Sequence, residues 1–214
     1  NVRLVKFEIE SAYSGLANEY VGLSEVRFQD AHPGVIFSED FEDTGVADGD
    51  YEIGWGTQFT VNDAYNILNP AATGASAAWL NPVPAALGDI FGTIYKGGTA
   101  TADLPTVPFV ANTVYTLTFT HFKRDDLVGD ATTVRIADAV TDSILASAVF
   151  PAVTTDDTFL TRTLTYITNA GDELGHAIRV QFYDHTEGTA LQQAGIDNIM
   201  LTANAPRGTL ISIQ

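Results

Sequence analysis

The sequence predicts an all-β chain, an antiparallel β-sandwich of the jelly-roll type. Three observations predict it. Several segments alternate apolar and polar residues with a period of two. Clusters of Gly, Asn, Asp and Pro punctuate them at short intervals. No stretch of a dozen residues carries a 3.6-residue period with caps at its ends.

The strands follow in order. Val5, Phe7 and Ile9 alternate with Lys6 and Glu8 near the start, and a second strand-like piece covers residues 21–29. Residues 113–122 (TVYTLTFTHF) place Tyr115, Leu117, Phe119 and His121 on one face and Thr116, Thr118 and Thr120 on the other. Residues 159–167 (FLTRTLTYI) alternate in the same way and are rich in threonine. In residues 177–183 (AIRVQFY), Ile178, Val180 and Phe182 oppose Arg179, Gln181 and Tyr183. Turn clusters fall at 45–50, 69–74, 96–103, 125–130, 169–175 and 187–188. The Ala-rich residues 71–80 are expected to form a short helical turn. Many short strands with turns at this spacing mean a sandwich or jelly roll rather than a βαβ fold.

The chain has 214 residues, 45% of them hydrophobic, enough for one large core. A seam at Ala31–Gly34 suggests residues 1–33 as an accessory β-segment, 34–204 as the main domain, and 205–214 as a tail able to form an extra strand. Asn1 fits a processed or truncated start.

Asp and Glu number 27 against 10 Lys and Arg, a formal charge of −17. Such a surface repels phosphate backbones and anionic membranes, so neither nucleic acid nor membrane insertion is expected. No apolar run reaches the roughly 18 residues of a membrane span. Without cysteine, a disulfide framework, a thiol nucleophile and a Cys-based zinc site are excluded. The four histidines lack metal-ligand spacing, and His121, on the apolar face of its strand, reads as a satisfied core histidine. No nucleophile elbow, P-loop or dinucleotide fingerprint is present, so the chain is expected to be non-catalytic.

Two segments resemble known families. Residues 1–29, with VRLVKFEIES and the run Gly22-Leu23-Ser24-Glu25-Val26-Arg27-Phe28, resemble the last two strands of a discoidin-like (F5/8 type C) domain. Residues 35–203 resemble the galactose-binding-like jelly rolls of bacterial carbohydrate-binding modules. The residues carrying that likeness are Asp40-Phe41-Glu42-Asp43, Gly54-Trp55, Asn69-Pro70, Val114–Phe119 (VYTLTF) and Gly195–Leu201 (GIDNIML). Ile196 departs from the usual Phe, Asp40 from the usual Gly, and the Ala/Pro-rich stretch 70–87 is long.

This second resemblance implies a calcium ion where the first and last strands meet. It implicates Glu42 and Asp197, with Asp43 beside them. The parity of Asp197 with Ile199 and Leu201 predicts a side chain leaning toward the core, where a carboxylate needs a partner or a cation. Trp79, Tyr65, Tyr95, Phe122 and Tyr183 are candidate platforms for stacking on a sugar ring, and Trp55 is expected in the core. The expected function is therefore a secreted or cell-surface carbohydrate-binding or adhesion module with a structural calcium and a polysaccharide or glycan partner. The rival is a structural subunit of a surface layer, fibre or pilus-like assembly, in which terminal strands pair with other copies of the chain.

Overall fold

The computed structural model describes residues 34–44, 51–52, 54–55, 58–62, 65–68, 90–123, 128–155, 158–169, 171, 173–184 and 192–204. The expectations for the discoidin-like segment, the terminal strands and the Ala-rich turn at 71–80 fall outside these residues. The described residues belong to one compact unit, His32–Pro206.

Thirteen strands are described: β1 (Gly34–Glu39), β2 (Tyr51–Glu52), β3 (Thr60–Asn62), β4 (Tyr65–Leu68), β5 (Phe91–Ile94), β6 (Thr99–Pro108), β7 (Val114–Phe122), β8 (Val128–Gly129), β9 (Thr132–Asp138), β10 (Ile144–Phe150), β11 (Leu160–Ile167), β12 (Ala177–Asp184) and β13 (Gln192–Asn204). The only helical element among the described residues is a 3₁₀ turn, η1 (Glu42–Thr44). The strands form two sheets. One runs β11-β7-β13-β5-β4-β2, with β1 and β8 also paired to β13; the other runs β10-β9-β12-β6-β3. All pairings between strands are antiparallel except the short β8–β13 contact. This is the β-sandwich that the alternation predicts.

Alternation translates directly into burial. Tyr115, Leu117 and Phe119 on β7, and Ile178, Val180 and Phe182 on β12, all point into the space between the sheets. Trp55 sits at the centre, fully buried, with its indole N–H donating to the Thr93 carbonyl at 2.9 Å. Phe41, Phe59 and Phe182 surround it at ring-centroid distances of 5.5, 5.3 and 5.6 Å. Gly92 makes that packing possible, because a Cβ there would lie 2.9 Å from both Phe41 and Trp55. Truncating a buried ring of this kind to alanine costs about 3–5 kcal/mol.

One end of this core is polar. His121 is fully buried, and no well-aligned hydrogen bond reaches either ring nitrogen, although the Asp130 backbone lies close enough to favour the charged ring slightly. Burial foremost, and then the nearby Arg162, push its pKa down to about 4, so the ring is neutral. The expectation of a core histidine holds.

Candidate functional site

The two ends of the domain meet around Asp197. Strand β13 pairs through Ala194–Ile196 with β5 and through Ile199–Ala203 with β1. Asp197 and Asn198 lie between, where β13 changes neighbour on that side. On its other side, the ladder with β7 carries a bulge between Asp197 and Met200, and Asn198 adopts a left-handed φ of 49°. Asparagine tolerates that conformation better than most residues. The extra residue resets the alternation. Asp197 pairs with Thr120, on the outward face of β7, and Ile199 and Leu201 face the core. The predicted parity of Asp197 with Ile199 and Leu201 is thus corrected, because a bulge breaks the period of two.

Asp197 is nevertheless fully buried, beneath the acidic segment that leaves β1. Its oxygens accept from the Asn198 backbone N–H at 2.6 Å and from the Asn198 side-chain amide at 3.0 Å. No positive side chain among the described residues pairs with it. Desolvation first, with repulsion from Glu42, Asp40 and Glu39, pushes its pKa up to about 8. Glu42 braces the junction, its Oε1 accepting from the Ile90 N–H at 3.1 Å just ahead of β5. Glu39 accepts from the Phe41 N–H at 2.8 Å and from Gln58 at 3.1 Å. Burial above all, with Asp40 and Asp43 nearby, raises the Glu39 pKa. Asp43 is exposed on η1.

This donor set suits a hard cation. Carboxylates gather near the junction of β1 and β13, and calcium takes six to eight oxygen ligands. Asp197 and Glu42 are the side chains placed to hold one. Among the described residues, no three acidic or histidine side chains converge as a ready cage.

A second constellation occupies the outward face of the five-stranded sheet. Tyr183, Gln181 and Arg179 alternate along β12 with the buried Phe182 and Val180. Register brings Gln181 beside Thr101 on β6 and Arg135 on β9, and Arg179 beside Asp103. The side chains bond across the strands. Arg135 donates to Gln181 at 3.0 Å, and Gln181 to Thr101 at 3.2 Å. Arg179 grips both oxygens of Asp103, at 2.6 and 2.9 Å, and also reaches Asp142. The Arg135 guanidinium lies 5.7 Å from the Tyr183 ring centroid. Thr133 Oγ1 and Arg135 Nε, on the same face, have no hydrogen-bond partner. The result is a half-buried polar ladder with one aromatic ring in it.

The predicted platform residues do not converge. Tyr183 joins the ladder. Tyr95 follows β5 of the other sheet, with Lys96 Nζ 5.9 Å from its ring centroid. Phe122 is 1% exposed and enclosed by Phe91 and Phe159, at 5.0 and 5.1 Å, so as a sugar platform it is corrected: neither ring face is open. Tyr65 lies in β4, and Trp79 falls outside the described residues. Trp55 is core, as expected. Arg135, Gln181 and Thr101 are the residues that sequence reasoning missed, since only cross-strand register unites them.

The chain matches no family model and no curated protein sequence. Solved structures share its fold. A cyclase from Fischerella sp. TAU, in complex with 4-(1H-indol-3-yl)butan-2-one, is 18% identical with a TM-score of 0.65, over 79% of this chain and 96% of that one. A Stig cyclase, Fisc, from the same source, in complex with (3Z)-3-(1-methyl-2-pyrrolidinylidene)-3H-indole, is 19% identical with a TM-score of 0.63, over 78% and 94%. The CBM22-1 xylan-binding domain of Paenibacillus barcinonensis Xyn10C, 12% identical with a TM-score of 0.45 over 85% and 97%, is too distant to carry an argument. At these identities the likeness is one of fold. It still corrects the expectation of a non-catalytic chain. That expectation rested on the absence of known motifs, and this sandwich is one that cyclases use.

Proposed function

We propose that this chain is an extracellular jelly-roll domain that binds a polysaccharide across the outward face of its five-stranded sheet, with a calcium ion pinning β1, β5 and β13 together. The observation that carries the reading is the ladder of Thr101, Gln181, Arg135 and Tyr183. A pyranose offers an apolar C–H face for an aromatic ring and hydroxyls for amide and guanidinium donors. This face supplies both, in a row that follows the sheet and suits an extended chain better than a compact molecule. Calcium acts at a distance from it, by stiffening the sheet junction around Asp197.

Calorimetric titration of a panel of soluble polysaccharides tests the reading. One should bind, and Tyr183→Ala should weaken it at least tenfold while leaving the melting temperature within a few degrees. If no polysaccharide binds and an indole ketone does, the ligand is instead a small ring-bearing molecule of the kind held in the cyclase crystals.

A further inference from the structure

We propose that the outer edge of β11 is a self-association surface, where two copies of this chain pair antiparallel and join their larger sheets into one. This concerns an edge distinct from the ligand face.

The geometry points first to β11 among the available edges. An unpaired edge strand offers a row of N–H and C=O groups, and proteins blunt such edges with bulges, charges, proline or brevity. Among the described strands, β2 and β3 end their sheets with two and three residues. The edge β10 carries a register shift between Ile144 and Ala146, and β1 one between Val35 and Phe37. Strand β11 has none of these protections. It pairs with β7 in unbroken register over eight residues, from Leu160↔His121 to Ile167↔Val114. It contains no proline, glycine or lysine, and its one charged residue, Arg162, turns back to the Pro151 carbonyl at 3.1 Å.

The surface around that edge is also unusual for this chain. Among the described residues, nine large hydrophobic side chains are exposed, and five of them lie on β10, β11 or the turn before β10: Val140, Ile144, Val149, Leu160 and Ile167. Of these, Leu160 and Ile167 lie at the two ends of β11 itself, and Ile167 shares the outward face with Thr161, Thr163 and Thr165.

Charge selects the occupant. The chain carries −17, so two copies repel over most of their surface. Strands β7, β10 and β11 contain no Asp or Glu. The outward threonines Thr161, Thr163 and Thr165 oppose Thr120, Thr118 and Thr116 and extend the neutral area onto the sheet face. Like-charged copies therefore approach with least repulsion along this edge. A two-fold axis across β11 makes the contact isologous and closed, giving a dimer rather than a fibre. Cross-strand threonine pairing and burial of Ile167 would add to the backbone bonds.

Light scattering coupled to size exclusion tests this on the full chain. The expected mass is twice 22.9 kDa, with the dimer fraction rising with concentration. Added salt should tighten it, because screening relieves the repulsion between the acidic bodies. Thr163→Glu and Ile167→Glu each add a carboxylate from both copies to the neutral contact and should weaken the dimer at least tenfold. Val35→Glu, at an exposed site on β1 and separated from β11 by β13 and β7, should not. Hydrogen exchange should show β11 amides slowing as concentration rises. A monomer at every concentration and salt level, or a dimer indifferent to both β11 variants, overturns the proposal.

Discussion

Asp197 stands opposite Thr120 across the β13–β7 ladder, on the outward face, while Ile199 two residues later faces the core. The bulge at Asn198 makes this possible and buries a carboxylate near Glu39, Asp40 and Glu42, with no positive side chain among the described residues paired to it. Calcium should therefore stabilise the protein. At a hundredfold excess over Kd the gain is about 2.7 kcal/mol, which raises the melting temperature by roughly 5–10 °C for a domain of this size. EDTA should reverse it. Because protons compete for Asp197, calcium should bind more tightly as pH rises toward about 8. Asp197→Asn should abolish the response to both reagents. A wild-type melting temperature indifferent to EDTA and to added calcium rules the site out.

Gly92 and Trp55 make a second prediction. A methyl group at 92 meets Phe41 and Trp55 at 2.9 Å, within a core that has no slack there. Gly92→Ala should cost about 1–3 kcal/mol by overpacking. Phe41 immediately precedes Glu42, so the same variant should weaken calcium binding as well. Urea unfolding with and without calcium separates the two losses. An unchanged midpoint would mean the core yields more easily than this packing implies.

The sandwich was legible because period-two alternation in residues 113–122 and 177–183 maps directly onto buried and outward faces. Those strands run straight, and a straight strand keeps its parity. Asp197 was misplaced for the converse reason: one extra residue reverses parity, and the left-handed φ that marks it is not written in the side chains. Phe122 lies on the outward face of β7, as a platform residue must, but Phe91 and Phe159 from distant segments cover it. The Tyr183–Arg135–Gln181 ladder escaped altogether, because its members lie on different strands and meet only through register. Alternation along one segment reports facing; what covers or completes a face is non-local.

Asp138 governs behaviour in strong acid. Burial alone would raise its pKa, but hydrogen bonds from His176 at 2.7 Å, the Thr141 hydroxyl at 2.8 Å and the Val140 N–H at 2.7 Å outweigh that and hold it at about 2. A carboxyl depressed in the fold stabilises above its unfolded pKa, near 3.8, and loses that contribution as pH falls toward 2. Two pKa units correspond to about 2–3 kcal/mol. Asp138→Asn should therefore destabilise the protein at pH 7 by about 1–3 kcal/mol. It should also flatten the loss between pH 4 and 2. Denaturant midpoints measured across that window decide it, and parallel curves for the two proteins would remove Asp138 from the account.

His121 should control a higher and separate window. Its folded pKa is lowered to about 4, by burial first and then by Arg162, whereas the unfolded ring titrates near 6.5. The unfolded chain thus takes up a proton that the fold refuses, and stability falls as pH drops from about 6.5 to about 4. The full loss is on the order of 3 kcal/mol. Replacing the ring with an apolar one removes both the titration and two buried nitrogens without a well-aligned partner. His121→Phe should then match or exceed wild-type stability at pH 7, since deleting an orphaned polar group costs little. At pH 4.5 it should be clearly the more stable of the two. Asp197 titrates in an overlapping range with the opposite sign, so the measured quantity is the difference between variant and wild type at fixed calcium. A difference that stays constant from pH 7 to pH 4 would show that His121 is already solvated or paired in the folded protein.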